Sequence, residues 1–386
     1  MTTQEVLTEL QTVGLILPSA TSDSPGESTL GESTPGKSTL GRRGGAGPTD
    51  HKAIRLAGTT IMVPVYNQHS ARSPYAAGIP NELGVSELTK NGQMVGHIRF
   101  PHQPKFYEQS TSDGIPFWKV AQLHSHNVLA TTVLQNCIRY NDKETSCQFC
   151  AIGESLKYGT TIAYKRPHQL AEVAKAAVEL DGVEQFVITT GTPATSDRGA
   201  KILYESVLAI RWAVPSLPIQ VQCEPPDDFS WFQKLKEAGA DALGMHLEAI
   251  EEPVRQRIMA GKAEVPVSYY MEAFEAAVAV FGRGQVSTYL LAGLGDRAET
   301  LIDTSRDLIE LGVYPFIVPF VPVSNTPLHN HPAPGKVFME SVLSVVGPML
   351  AEAGMTSDTL KAGCGKCGAC STLKSFEKLA TSAVVA

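Results

Sequence analysis

Three cysteines, Cys137, Cys147 and Cys150, lie in the stretch CIRYNDKETSCQFC, separated by nine residues and then by two. Cysteine thiolates hold the irons of a cubane iron-sulfur cluster, and three of them leave one of its four irons able to bind something that reacts. The pair Cys147 and Cys150 taken alone would also suit a zinc site or a redox dithiol. A second set, Cys364, Cys367 and Cys370, forms C-x2-C-x2-C in AGCGKCGACS. Its two-residue gaps gather three thiolates around one compact centre, and the Gly and Ala between them leave room for sulfides and for N–H donors. No His or Cys follows to complete a zinc site, so the set reads as a second [4Fe-4S] cluster, ahead of zinc or a redox thiol site.

The composition narrows the setting in which these thiols work. The chain has 386 residues, a net charge of -7 and seven cysteines, so it lacks the basic footprint of a nucleic-acid binder. No apolar run approaches the roughly 18 residues of a membrane span. The start, MTTQEVLTELQ, has neither the basic nor the apolar region of a secretory signal, which predicts a cytoplasmic protein. Cysteines in that compartment serve as metal ligands more often than as disulfides.

The elements that must position the thiols form a regular series. His126 to Gln135 reads as a strand, which puts the first cysteines in the loop after its C-terminal end, where β/α barrels keep their reactive groups. Strands at Gln185 to Thr190, Pro218 to Cys223, Ala242 to Leu247, Val286 to Leu291 and Val313 to Val318 then alternate with helices up to Ala353. Six strands, each followed by helical residues, predict an α/β fold with a partial (β/α)6 TIM-type barrel. Before it, Thr59 to Tyr66, Ser86 to Lys90 and Gln93 to Phe100 read as strands of a small β-rich layer, the last two joined by a hairpin at Asn91-Gly92. The expected divisions are a short helix in 1–18, a Gly/Ser/Thr/Pro tether in 19–50, the β-rich extension in 51–122, the barrel in 123–355 and a C-terminal cluster segment in 356–386. The tether contains the repeat GESTL, GESTP, GKSTL. Gly31 to Ser38 matches a phosphate loop within it, but without the flanking strand and helix that such a loop needs.

The strand ends are polar where a barrel interior is normally apolar. Alternation places Gln220, Gln222 and Glu224 on one face of the third strand, with Cys223 on the other as packing, and pairs His246 with Glu248 on the fourth. His124 and His126 make an H-x-H pair that could bind metal, but at alternating positions with no cysteine or carboxylate beside them in sequence they read as packing ahead of metal ligands.

Phe149 before the last cysteine completes a pattern that resembles the radical S-adenosylmethionine (SAM) enzymes, although the first gap of nine residues departs from their usual three. The resemblance, of the biotin synthase and lipoyl synthase kind, runs in order from about Leu123 to Leu328. It implies that Thr190, Gly191 and Thr192 hold the amino group of SAM, that Glu248 holds its ribose, that Arg255, Arg257 or Lys262 meets its carboxylate, and that Gly293 to Asp296 lies near its adenine. Glu224 joins this cofactor-binding set, while Gln220, Gln222 and His246 face the substrate. Further shared stretches, RRGGAGP at Arg42, TTGTPATSDRGA at Thr189, QCEPPDDF at Gln222 and AGCGKCGAC at Ala362, resemble a radical SAM family whose genes commonly accompany a nitrilase. The implied function is reductive SAM cleavage to a 5'-deoxyadenosyl radical that takes hydrogen from a small, nitrogen-containing substrate. It would use two [4Fe-4S] clusters and an electron donor such as flavodoxin or ferredoxin. The alternative is a non-catalytic barrel carrying structural metal.

Overall fold

The computed structural model describes residues 1–18, 47, 50–66, 68–101 and 103–385, without the side chains of 382–385. Nearly all of the Gly/Ser/Thr/Pro stretch, with its phosphate-loop match and most of RRGGAGP, lies outside the described residues. Two sheets organise the rest. The first is antiparallel, with strands β1 (His51–Leu56), β2 (Thr59–Pro64), β3 (Tyr75–Ala77), β4 (Val85–Lys90) and β5 (Gln93–Arg99) in the order β2-β1-β5-β4-β3. Asn91 and Gly92 take φ of 50° and 79°, the left-handed pair that a two-residue hairpin requires. The strands β1 and β3 go beyond the sequence reading; β1 joins β2 through Ala57 and Gly58, a turn that its alternating HKAIRL pattern does not announce.

Helix Thr3–Val13, started by a Thr2–Glu5 capping box, lays Val6, Leu7 and Leu10 on Ile54, Ile61, Val63 and Ile98 of this sheet. Its other neighbour is the far end of the chain. Thr8 Oγ1 meets Thr372 Oγ1 at 3.1 Å, Gln11 Nε2 donates to Ala369 O at 3.0 Å, and Lys336 Nζ lies 3.0 Å from Glu5.

The second sheet has seven strands, β6 (Gln122–His124), β7 (Val128–Thr132), β8 (Gln185–Thr189), β9 (Ile219–Gln222), β10 (Ala242–Gly244), β11 (Val286–Ala292) and β12 (Val313–Pro319), neighbouring one another in chain order. β7 to β12 are parallel, and β6 adds an antiparallel hairpin strand at one edge. This is the expected α/β partial barrel with one more strand than the periodicity reveals. Helices 167–181, 200–213, 230–238, 267–281, 298–311 and 336–352 cover the outer face, where Leu129, Phe186, Ile188, Ile219, Val221 and Leu243 join the main core. The opposite face is left to line a lumen.

β10 stops at Gly244, three residues earlier than its apolar run suggests, because side chains take over its ladder. His246 Nδ1 accepts from Tyr289 N at 3.2 Å, and Thr288 Oγ1 accepts from Leu247 N at 2.9 Å. The chain's last part closes the end of the barrel where the strands begin. Gly363 N donates to Gln185 Oε1 at 2.6 Å and Lys361 N to Gln285 Oε1 at 2.9 Å. Met62 N of the antiparallel sheet donates to Ala369 O at 2.7 Å beneath them. Among the described residues no helix is long and apolar enough to cross a membrane.

Candidate active site

The first cysteine set lies where the strands end. Gly191 N donates to Leu134 O and Ile138 N to Thr192 O, each at 2.9 Å, so the turn after β8 laces itself to the start of the cysteine loop. The fit is close enough that a Cβ on Gly191 would stand 1.9 Å from Asn136 O. At the loop's other end Gln148 N donates to Ile258 O at 2.8 Å. That carbonyl is released because the helix 252–263 is kinked at Met259, with φ -155° and ψ 53°. Cys147 and Phe149 pack against Ala249, Val254, Ile258, Met259 and Phe320. These buried apolar residues form the bed of the cysteine turn.

The nine-residue gap is folded down by Arg139. Its Nε donates to Gly261 O at 2.7 Å and its Nη1 to Glu224 Oε1 at 2.5 Å, and Thr192 Oγ1 also donates to Glu224 at 2.9 Å. Glu224 thus ties the cysteine loop, the β8 turn and the residues after β9 into one unit. Beside them Lys262 Nζ lies 3.5 Å from Glu248 Oε1. Burial opposes the Lys262 charge, but Tyr270, Glu248 and Glu224 around it more than compensate and hold its pKa above the usual lysine range. Glu248 has φ 66°, a conformation that costs a non-glycine residue energy. Of the three cations matched to the SAM carboxylate, Arg255 is spent on the carbonyls of Leu247, Ala249 and Val265, and Arg257 on Leu294 O. Lys262 faces the cysteines, close enough to Cys147 to act on it electrostatically. Gly293, at φ 104°, packs under Pro334 and accepts from His331 at 2.8 Å; Asp296 is used to hold the backbone of Ile250 and Glu251.

The second set occupies the opposite end of the lumen. Cys364 and Cys367 face Val128, Ala130 and Val187, and Cys367 and Cys370 face Ala53 and Met62. Gln222 Nε2 donates to Cys364 Sγ at 3.2 Å, Gln220 Oε1 accepts from Cys364 N at 3.2 Å, and Gln220 Nε2 donates to Ser287 Oγ at 3.0 Å. The two glutamines share the lumen face that alternation assigns them, and what they touch there is the C-terminal triad. Tyr289 also bonds Cys364, and its ring stacks on His246 at 4.3 Å. Burial lowers the His246 pKa to about 3, so the imidazole is neutral, and its Nε2 has no partner among the described residues. Cys223 is buried in the outer core. The sequence reading preferred packing for His124; its Nε2 lies 3.4 Å from Cys370 Sγ. The tertiary fold supplies the cysteine neighbour that the H-x-H spacing lacks.

The donor chemistry of both sets fits iron-sulfur ligation. All six thiols are outside disulfides and partly shielded. Burial pushes Cys147 and Cys364 up and Cys367 up to about 12, so each stays protonated until a metal displaces the proton. Among the described residues no three His, Cys, Asp or Glu side chains converge tightly enough for a single metal ion; thiolates placed around a multi-iron cluster stand further apart than that. The β7 strand between the two levels has five residues, about 13 Å at 3.3 Å per residue.

The model of the Radical SAM superfamily matches residues 144–308. That span starts inside the nine-residue gap and includes Cys147 and Cys150. Among curated proteins the chain is 28% identical over 212 residues to bacteriochlorophyllide c C-7(1)-hydroxylase of Chlorobaculum limnaeum, covering 50% of this chain and 52% of that one. It is 26% identical over 171 residues to mitochondrial lipoyl synthase of Phytophthora infestans (strain T30-4), covering 43% and 42%. The chain thus spans about half the length of these relatives. Among solved structures it is similar to methylornithine synthase, with a TM-score of 0.42, 18% identity and coverage of 56% and 60%. A second is the [FeFe]-hydrogenase maturase HydG, with a TM-score of 0.44, 14% identity and coverage of 56% and 48%. Both likenesses are too loose to bear on function. Residues 144–308 thus match the Radical SAM superfamily, a family of enzymes whose resemblance implies a [4Fe-4S] cluster and SAM.

Proposed function

We propose that the chain is a radical SAM enzyme acting on a small organic, nitrogen-containing molecule held in the lumen between the two cysteine sets. The observation that carries this is the single unit formed by the first cysteine loop, the Thr190–Thr192 turn and Glu224 at the strand ends. When bound, the first cluster supplies the electron that cleaves SAM to methionine and a 5'-deoxyadenosyl radical. Cys137, Cys147 and Cys150 hold that cluster. Thr190, Gly191 and Thr192 offer hydroxyl and backbone groups to the amino group of SAM, Lys262 offers a cation to its carboxylate, Glu248 accepts from its ribose hydroxyls, and the turn at Gly293 lies beside its adenine. Glu224 keeps these pieces in register through Arg139 and Thr192.

Gln220, Gln222 and His246 line the way to the second set. His246, neutral at physiological pH, serves as a hydrogen-bonding wall for the substrate and leaves proton transfer to other groups. Cys364, Cys367 and Cys370 hold a second [4Fe-4S] cluster that anchors the substrate or donates sulfur. The likeness of the chain to a nitrilase-associated radical SAM family is what favours a nitrogenous substrate and anchoring. A cytoplasmic flavodoxin or ferredoxin supplies the electron.

Anaerobic reconstitution with iron, sulfide, dithionite and SAM should yield 5'-deoxyadenosine, and Cys147→Ala should abolish it. Robust production by that variant refutes the assignment of the first set. A colourless protein carrying one or two zinc atoms would instead mark a non-catalytic metal-binding barrel.

A further inference from the structure

The C-terminal set has three thiols, and the lumen brings a fourth donor to it from 246 residues away in the chain. His124 is the last residue of β6 and pairs directly with Val128 of β7. Directly opposed residues of an antiparallel pair point to the same face, and Val128 faces Cys364 and Cys367. The hairpin therefore aims the imidazole at the triad, and its Nε2 lies 3.4 Å from Cys370 Sγ. Simple alternation would send His126 the same way. Ser125, at φ 63°, breaks the strand, and His126 instead meets Thr60 at 3.4 Å and the Ser125 hydroxyl at 3.1 Å. Only one histidine of the H-x-H pair is delivered to the site.

We propose that His124 is the fourth protein ligand of the C-terminal site, binding through Nε2 beside Cys364, Cys367 and Cys370. This rests on the reading of that triad as an iron-sulfur site. The other polar groups there already bond the sulfurs: Gln222 and Tyr289 bond Cys364, and the Ser125 hydroxyl bonds Cys367. Amides and hydroxyls in such positions orient and tune the ligands. The second imidazole in the lumen, His246, has its Nδ1 occupied by Tyr289 N. His124 is the nitrogen base that reaches a cysteine. With it bound, the second site has no open coordination position at rest, and a substrate heteroatom reaches metal there only by displacing the imidazole.

The test uses full-length protein with Cys137→Ala, Cys147→Ala and Cys150→Ala, labelled with 15N-histidine and reconstituted anaerobically with iron and sulfide, so that the C-terminal site alone can hold a cluster. About four irons per chain should bind, and the reduced cluster should show a histidine nitrogen coupling by pulsed electron paramagnetic resonance. His124→Cys, which supplies a thiolate instead, should keep the iron and lose that coupling. Retention of the coupling in His124→Cys, or its absence with histidine in place, overturns His124 as a ligand while leaving the cluster reading intact. Failure of the triple variant to bind iron while its thermal melt stays native overturns the cluster reading and the proposal with it. If the triple variant does not fold, the same comparison is made in the otherwise unaltered holoprotein, where the nitrogen coupling must again vanish in His124→Cys. Bound zinc whose nitrogen ligand disappears in His124→Cys, read by X-ray absorption, supports His124 as the donor and overturns iron as the metal.

Discussion

Gly191→Ala is the sharpest test of how the first cysteine loop is held. A Cβ there would stand 1.9 Å from Asn136 O, 2.7 Å from its carbonyl carbon and 2.9 Å from the Ile152 side chain, and real Cβ contacts essentially never fall below 3.0 Å. Most of the collision is with backbone, so no rotamer change relieves it. The loop must retreat by at least about 1.1 Å at the residue before Cys137. The 2.9 Å bonds from Gly191 N to Leu134 O and from Ile138 N to Thr192 O cannot both survive such a shift. Overpacking of this kind typically costs about 1–3 kcal/mol, which in a chain of this size lowers the melting temperature by a few degrees. Iron should suffer more than stability, because Cys137 moves with Asn136. Bound iron should drop from about eight to about four per chain, and 5'-deoxyadenosine formation should fall below a tenth. Gly335→Ala serves as the control, since a Cβ there meets nothing within 4 Å and the backbone φ is an ordinary -69°. Full iron, undiminished SAM cleavage and an unchanged melt in Gly191→Ala would refute the lacing of turn and loop.

Gly363→Ala should act at the other end of the lumen, because its Cβ would fall 2.3 Å from the Gln220 amide and its φ is 111°; iron should again be halved, but with uncoupled SAM cleavage intact. Arg139→Met removes a charge-assisted bond to Glu224 worth about 1.5–3 kcal/mol and should speed iron loss to a chelator about tenfold or more, with Glu224→Gln showing a smaller effect in the same direction. His246 gives a pH signature: its native pKa of about 3 lies below the unfolded value near 6.5, so the unfolded chain takes up the extra proton and stability declines as pH falls below 6.5. By pH 5 this amounts to at most about 2 kcal/mol, and denaturant melts of His246→Gln should lack that component. Equal pH dependence in both proteins would mean that His246 is solvated.

The sequence exposed directions along the chain better than it exposed depth within the barrel. Alternation set Gln220 and Gln222 on the lumen face, because a strand's two-residue period decides the face. It could not tell that Cys364, 142 residues after Gln222, would fold back onto that face. The parallel series was legible because the strands from β7 to β12, apolar or alternating in pattern, are separated by helical stretches. β10 ended early because the His246 and Thr288 side chains replaced backbone partners, a substitution that no periodicity contains. His124 was read as packing because its cysteine neighbour is supplied by the closing segment. Arg139 looked like one charge among several in a polar loop, and its two anchors, Gly261 O and Glu224, lie on separate elements far along the chain.

The meeting of Thr8 with Thr372 and of Gln11 with Ala369 sets an order of manufacture. These partners are 364 and 358 residues apart, so at a ribosomal rate of about 5–20 residues per second the N-terminal helix and its sheet wait roughly 20 to 70 seconds for their final partners. All six parallel strands are complete by Pro319, which lets the first cysteine loop find its bed before Cys364 has been made. The first cysteine set can therefore assemble on a nascent chain. The second cannot assemble until Cys370 has been made, after which the closing segment bonds Gln185 and Gln285 at the base of the barrel.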